Sequence, residues 1–200
     1  VGIGAESGGD HPLLWPNALP YHLDPKIPLT LYPTVPVLPP PIPPGPGQES
    51  VWDYPRPPRL ELSPKPVRVE FNGVVLAQSD RAYRVLETSH PPSYYLPPED
   101  VQMRYLLPTL RASFCEWKGQ ARYYTVMVDD REAIDGAWVY LEPTASFAAI
   151  AGYVAFYPSL MDACYVGDDR AEPQPGGFYG GWVTPDVVGP FKGVPGSWGW

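Results

Sequence analysis

Three stretches of the chain gather residue types that can do chemistry. The first is Glu87-Thr88-Ser89-His90-Pro91-Pro92-Ser93-Tyr94-Tyr95-Leu96-Pro97-Pro98-Glu99-Asp100-Val101, which packs a carboxylate, hydroxyls, an imidazole and two phenols into a proline-stiffened loop. Backbone stiffened by proline holds side chains at low entropic cost. His90 beside Glu87 can act as acid or base near neutral pH. The simpler reading is a structural loop whose tyrosines cap the core and whose histidine bonds to backbone. The second stretch is Phe114-Cys115-Glu116-Trp117-Lys118-Gly119-Gln120-Ala121-Arg122-Tyr123-Tyr124. Taken as a strand, it puts Cys115, Trp117 and Gly119 on one face and Glu116 and Lys118 on the other. A lysine among aromatic rings can bind an anion, or become a nucleophile when desolvated. A thiol near a cation can be an activated thiolate, although Cys115 taken alone reads as a small buried hydrophobe. The third stretch is Gly176-Gly177-Phe178-Tyr179-Gly180-Gly181-Trp182, where glycine pairs permit tight turns around aromatic residues. Its spacing is not that of a dinucleotide or P-loop fingerprint, and the chain has neither G-x-S-x-G nor H-E-x-x-H.

The elements that must position these residues read as β-structure. Val67–Phe71 alternates, Asn72-Gly73 supplies the favoured two-residue hairpin turn, and Val74–Gln78 returns. Further strands are predicted at Tyr83–Thr88, Gln102–Leu107, Ser113–Trp117, Ala121–Val128, Ala137–Leu141, Gly152–Tyr157 and Met161–Val166. Pro91 through Pro98 reads as a rigid loop, and Thr144–Ile150 as one short helix. Beyond Pro173 the Gly/Pro spacing leaves a long, packed, irregular segment with room for one short strand near Trp182.

Composition sets the outer bounds. Of 200 residues, 30 are Pro and 19 are Gly, which rules out long helices. Seven Trp, 14 Tyr and 6 Phe are ample for a core, which rules out disorder throughout. The net charge of −8 argues against a sequence-independent grip on nucleic acid. No apolar run approaches the length of a membrane span. Cys115 and Cys164 stand alone, and His11, His22 and His90 are scattered, so no structural metal and no cofactor are expected. The low cysteine count fits a reducing, cytoplasmic compartment, and no leader pattern is visible within these residues. Residues 1–48 hold 13 of the prolines and read as a polyproline-rich extended arm ahead of a folded unit at 49–200. The arm is either a linker or a docking segment, with Trp15, Tyr21 and Tyr32 as its anchors on a larger assembly.

The stretches SVWDYPRPPRLE, VLETSHPPSYYLPPEDV, FCEWKGQARYY, AGYVAFYPSLMDACYV and PQPGGFYGGWVTPDVVGPFKGVPGSWGW resemble the family catalogued as domain of unknown function 427. The family also carries the label "nucleotidyltransferase domain 9". The resemblance runs from about Glu49 to Trp200. It implies a mainly β fold of two facing antiparallel sheets with few short helices, similar to the Mss4-like β-tent group. Many members of that group bind zinc through paired cysteines, which this chain lacks. No carboxylate pair on a Gly-Ser strand motif supports the nucleotidyltransferase label. The resemblance implies no activity.

Three functions are compatible with these residues. One is a non-catalytic small-molecule-binding domain, its pocket walled by Tyr94, Tyr95, Trp117, Tyr123, Phe178, Tyr179 and Trp182 with a polar floor of Glu87, His90 and Lys118. Another is an accessory subunit docking through residues 1–48. The third is an enzyme using Lys118, His90 or Cys115. The pocket is expected where the His90, Lys118 and Tyr179 stretches meet.

Overall fold

The computed structural model describes residues 40–197 and Trp200, so Trp15, Tyr21 and Tyr32 lie outside the described residues. In chain order the strands are β1 Glu49–Ser50, β2 Arg59–Leu62, β3 Val67–Phe71, β4 Val74–Ser79, β5 Tyr83–Glu87, β6 His90–Tyr95, β7 Leu106–Cys115 and β8 Gly119–Val128. They continue as β9 Arg131–Tyr140, β10 Val154–Phe156, β11 Ala163–Val166, β12 Asp169–Arg170, β13 Glu172–Pro173, β14 Trp182–Val183 and β15 Val187–Val188. Short 3-10 turns supply the helical content of the described residues, the longest at Ala145–Ile150.

The fold is mainly β and its sheets are antiparallel, apart from one parallel pair. A four-stranded sheet runs β10-β9-β8-β7, a second runs β12-β11-β3-β4, and a three-stranded sheet runs β2-β5-β6. The β3–β4 hairpin turns at Asn72-Gly73, both with positive φ, as the sequence predicts. Strands β1 and β15 pair in parallel and tie the start of the folded unit to its C-terminal segment. Residues 40–48 also touch it: the Ile42 N–H donates to the Gly189 carbonyl at 2.8 Å, and the Gln48 amide to the Pro185 carbonyl at 2.7 Å.

Alternation along β8 and β9 sends their side chains into two separate cores, while Val51, Tyr54, Leu86 and Val187 form a third. Val126 and Val128 of β8 and Ala133 and Ala137 of β9 face β3, β4 and β11, burying Val69, Phe71 and Leu76. Across this core the two four-stranded sheets face each other. Ala121, Tyr123, Trp138 and Tyr140 point the opposite way and join Val85, Tyr95, Phe147 and Ile150 in a second core. A large side chain buried this way contributes about 1.5–3 kcal/mol.

Several local expectations change. Pro91 through Pro98 is not a loop at its start: His90–Tyr95 is an edge strand on β5. It tolerates Pro91 and Pro92 because both fall where the β5–β6 register shifts, between the Val85–Ser93 and Glu87–His90 pairs. The two strands read at Gln102–Leu107 and Ser113–Trp117 are one, β7, preceded by a 3-10 turn at Met103–Tyr105 and irregular between Pro108 and Ala112. Thr144–Ile150 winds as 3-10 rather than α, and the Thr144 hydroxyl donates to the Trp117 carbonyl instead of capping the turn. Strands β1, β2, β12, β13 and β15 are too short to leave a period in the sequence.

Candidate functional site

Strand β6 starts the site. Because neighbours on a strand point to opposite faces, Tyr95 enters the second core while Tyr94 enters the first. Tyr94 packs there against Trp182, with ring centroids 5.1 Å apart. The Trp182 indole donates to the Phe156 carbonyl, 3.2 Å away. Both were expected in the pocket wall and neither lines it. Alternation on β6 and the β13–β14 pairing send them into the core.

The other eight expected residues come together. Glu87, His90, Tyr95, Trp117, Lys118, Tyr123, Phe178 and Tyr179 line one open cleft of about 530 Å³. That volume lies within the usual range of ligand sites. Sequence reasoning missed Trp138, Tyr140 and Tyr157 on its floor and Gln174 and Lys192 on its wall. The alternation of β9 puts Trp138 and Tyr140 on the Tyr123 side. The register of Tyr123 opposite Trp138 and of Ala121 opposite Tyr140 fixes their position. The echo of Trp117-Lys118-Gly119 in Phe191-Lys192-Gly193 was the signal in the sequence for Lys192.

Lys118 does not sit on a strand. Cys115 pairs with Gly119, so Glu116, Trp117 and Lys118 form a three-residue hairpin loop, closed by Gly119 at φ 92°. The turn brings Cys115, Trp117 and Lys118 to the same cleft, where strict alternation would have separated them. It is clamped from outside by the Thr144 N–H, which donates to the Lys118 carbonyl at 3.2 Å. Lys118 is only 8% exposed. Its ammonium lies 5.9 Å from the Tyr140 ring centroid and 5.6 Å from that of Phe147. No carboxylate stands within ion-pair distance of it among the described residues. Burial disfavours its charge, but Tyr95, Cys115 and Glu87 outweigh that and hold its pKa above the ordinary lysine value. Lys118 is therefore a buried cation at neutral pH.

The chain belongs to the DUF427 family. The model of that domain of unknown function, labelled NTP_transf_9, matches residues 59–167, more than half of the chain. No curated protein matches the chain. Within this DUF427 domain the match takes in Glu87, His90, Tyr95, Trp117, Lys118 and Tyr123. Phe178, Tyr179 and Lys192 come from the segment beyond it.

The other charged groups on the cleft of this DUF427 domain are largely engaged. The Arg56 guanidinium lies 3.4 Å from the Glu87 carboxylate. Arg111 pairs with Asp135 at 3.3 Å and lies over the Tyr123 ring, 4.4 Å from its centroid. The Lys192 ammonium donates to the Trp200 carbonyl at 2.7 Å. Burial and the nearby Arg56 lower its pKa. His90 Nδ1 is 3.0 Å from the Thr88 carbonyl, which can only accept, so Nδ1 carries the proton and Nε2 keeps its lone pair. Burial pushes the imidazole pKa down, against the pull of Glu87 and the Thr88 carbonyl, and His90 stays neutral. Its ring meets Tyr179 edge-on, 4.8 Å between centroids. The Trp138 indole contacts Tyr157 at 4.6 Å and donates to the Tyr95 hydroxyl at 3.4 Å.

Among the described residues, no helix is long and apolar enough to cross a membrane. Cys115 and Cys164 are both unbridged.

Proposed function

We propose that this β domain binds a small molecule carrying a negative charge in the aromatic cleft, without transforming it. The observation that carries the reading is Lys118: buried, cationic, without an ion-pair partner among the described residues, and opening onto the cleft. Taking an ammonium out of water costs several kcal/mol. A fold that needed only packing here would be better served by an apolar side chain. An anionic ligand supplies the missing partner and the aromatic walls cover its body. A raised lysine pKa favours electrostatic binding over nucleophilic attack, which requires the free amine. The docking role of residues 1–48 stays a separate reading: its anchors Trp15, Tyr21 and Tyr32 lie outside the described residues, and Ile42 and Gln48 bond to the domain itself.

The test is native mass spectrometry of the protein purified under mild conditions, followed by denaturation. A small molecule retained by the native chain and released on unfolding is the expected result. The Lys118→Met variant should retain at least tenfold less of it. Retention unchanged in that variant would place the ligand elsewhere and end the proposal.

A further inference from the structure

The charges around the cleft narrow the class of ligand, an inference that rests on the binding role proposed above. Of the other cations on the wall, Arg111 pairs with Asp135, while Lys192 gives its ammonium to the neutral Trp200 carbonyl and has no carboxylate partner among the described residues. The two carboxylates on the wall, Glu87 and Glu116, leave no surplus of positive charge at the mouth. Arg111, Lys118 and Lys192 set against Glu87 and Glu116 leave the wall a net single positive charge, with Lys118 the buried one. Phosphate sites ordinarily add a second cation, an Arg fork or a row of backbone N–H groups at a helix start. Helices of the described residues are short 3-10 turns, and the one that follows the cleft residue Tyr157 opens with Pro158, which has no N–H to give. A singly charged carboxylate matches this charge, with Lys118 on its oxygens. A dianionic phosphate would keep a buried, unmatched charge.

The body of the ligand is read from the walls. Trp138 and Tyr157 form the floor, 4.6 Å apart and tilted. Phe178 meets Tyr179 edge-on at 4.9 Å on the far wall. Phe114 and Phe178 stay 79% and 66% exposed at the rim. Flat faces and ring edges set around one slot favour a flat ring, through offset and edge contacts that a puckered ring cannot reproduce. The unprotonated Nε2 of His90 adds an acceptor on the same wall for a hydroxyl or ring N–H. We infer that the cleft selects an aromatic carboxylate bearing a hydroxyl or ring N–H, seated with its carboxylate on Lys118.

The experiment is isothermal calorimetry on the full chain with five probes: indole-3-acetate, 4-hydroxyphenylacetate, cyclohexylacetate, phenyl phosphate and 4-hydroxybenzyl alcohol. The two aromatic carboxylates should bind at least tenfold tighter than the other three. Lys118→Met should remove that advantage while keeping a native near-ultraviolet spectrum. Phenyl phosphate binding as tightly as the carboxylates, or the neutral alcohol doing so, overturns the ligand class and leaves the binding role standing. The same holds if cyclohexylacetate equals the aromatic acids. If no probe binds at millimolar concentration, the class is refuted. If the natively purified chain also carries no small molecule, the binding role falls with it.

Discussion

Lys118 and His90 are held in opposite charge states by the same cleft, and each state has a measurable consequence. Lys118 keeps its charge although buried because Tyr95, Cys115 and Glu87 favour the ammonium by more than burial disfavours it, so in the folded state the charge is net stabilising. Lys118→Met should therefore cost the unliganded protein about 1 kcal/mol. Urea denaturation would read this directly. Unchanged or higher stability would instead mean that burial costs the ammonium more than these neighbours return. His90 works the other way. Its pKa lies below the ordinary imidazole value because it is buried, with Arg56 and Lys192 also near and only Glu87 and the Thr88 carbonyl opposing. Above about pH 6.5 both folded and unfolded states hold it neutral, so it contributes no pH dependence. Below that, the unfolded chain takes up the proton first, and stability falls until the native pKa is passed. Melting curves between pH 7.5 and 5 should show this decline, and His90→Gln should flatten it. An unchanged slope would mean that the decline belongs to other groups.

At the scale of elements, the far wall of the cleft depends on how closely the C-terminal segment lies on β9. The backbone at Gly180 runs against the Trp138 indole, and a Cβ built there would lie inside the van der Waals surface of that ring. Trp138 cannot retreat, since Tyr157 and Tyr95 stand against it. Gly180→Ala should accordingly cost about 1–3 kcal/mol, the range for overpacking a filled interior. It should also weaken ligand binding by displacing Phe178 and Tyr179. Denaturation with calorimetric binding on the same sample would check both. A neutral substitution would mean that the segment lifts off without cost, and that the far wall is not held by this contact.

For the whole molecule, chain closure matters most. Strand β1 reaches across to β15, and Glu49 within it pairs with Arg84, which is largely buried between Glu49 and Glu61. Removing Glu49 leaves Arg84 with Glu61 alone, so the cost should fall below the about 3–5 kcal/mol of a buried charge left without any partner. A chain beginning at Trp52, which lacks β1 with Glu49 and the buried Val51, should melt several degrees lower than one beginning at Pro40. If the two truncations melt alike, β1 is not the clasp of the fold.

Local patterns in the sequence were enough for the β3–β4 hairpin, for most strand positions and for eight cleft residues. Turn chemistry and alternation are properties of near neighbours. The family came from the resemblance of whole stretches to DUF427, and the meeting of the His90, Lys118 and Tyr179 stretches was expected from their dense mixture of aromatic, charged and glycine residues. Tertiary structure alone decided that Tyr94 and Trp182 belong to the core, since which face of β6 is buried depends on the sheet opposite. It decided that Pro91 and Pro92 could sit in a strand, because a register shift removes the need for their N–H groups. And it turned Lys118 inward: a three-residue loop, set by the pairing of Cys115 with Gly119, overrides the alternation that would have carried the lysine to the other face.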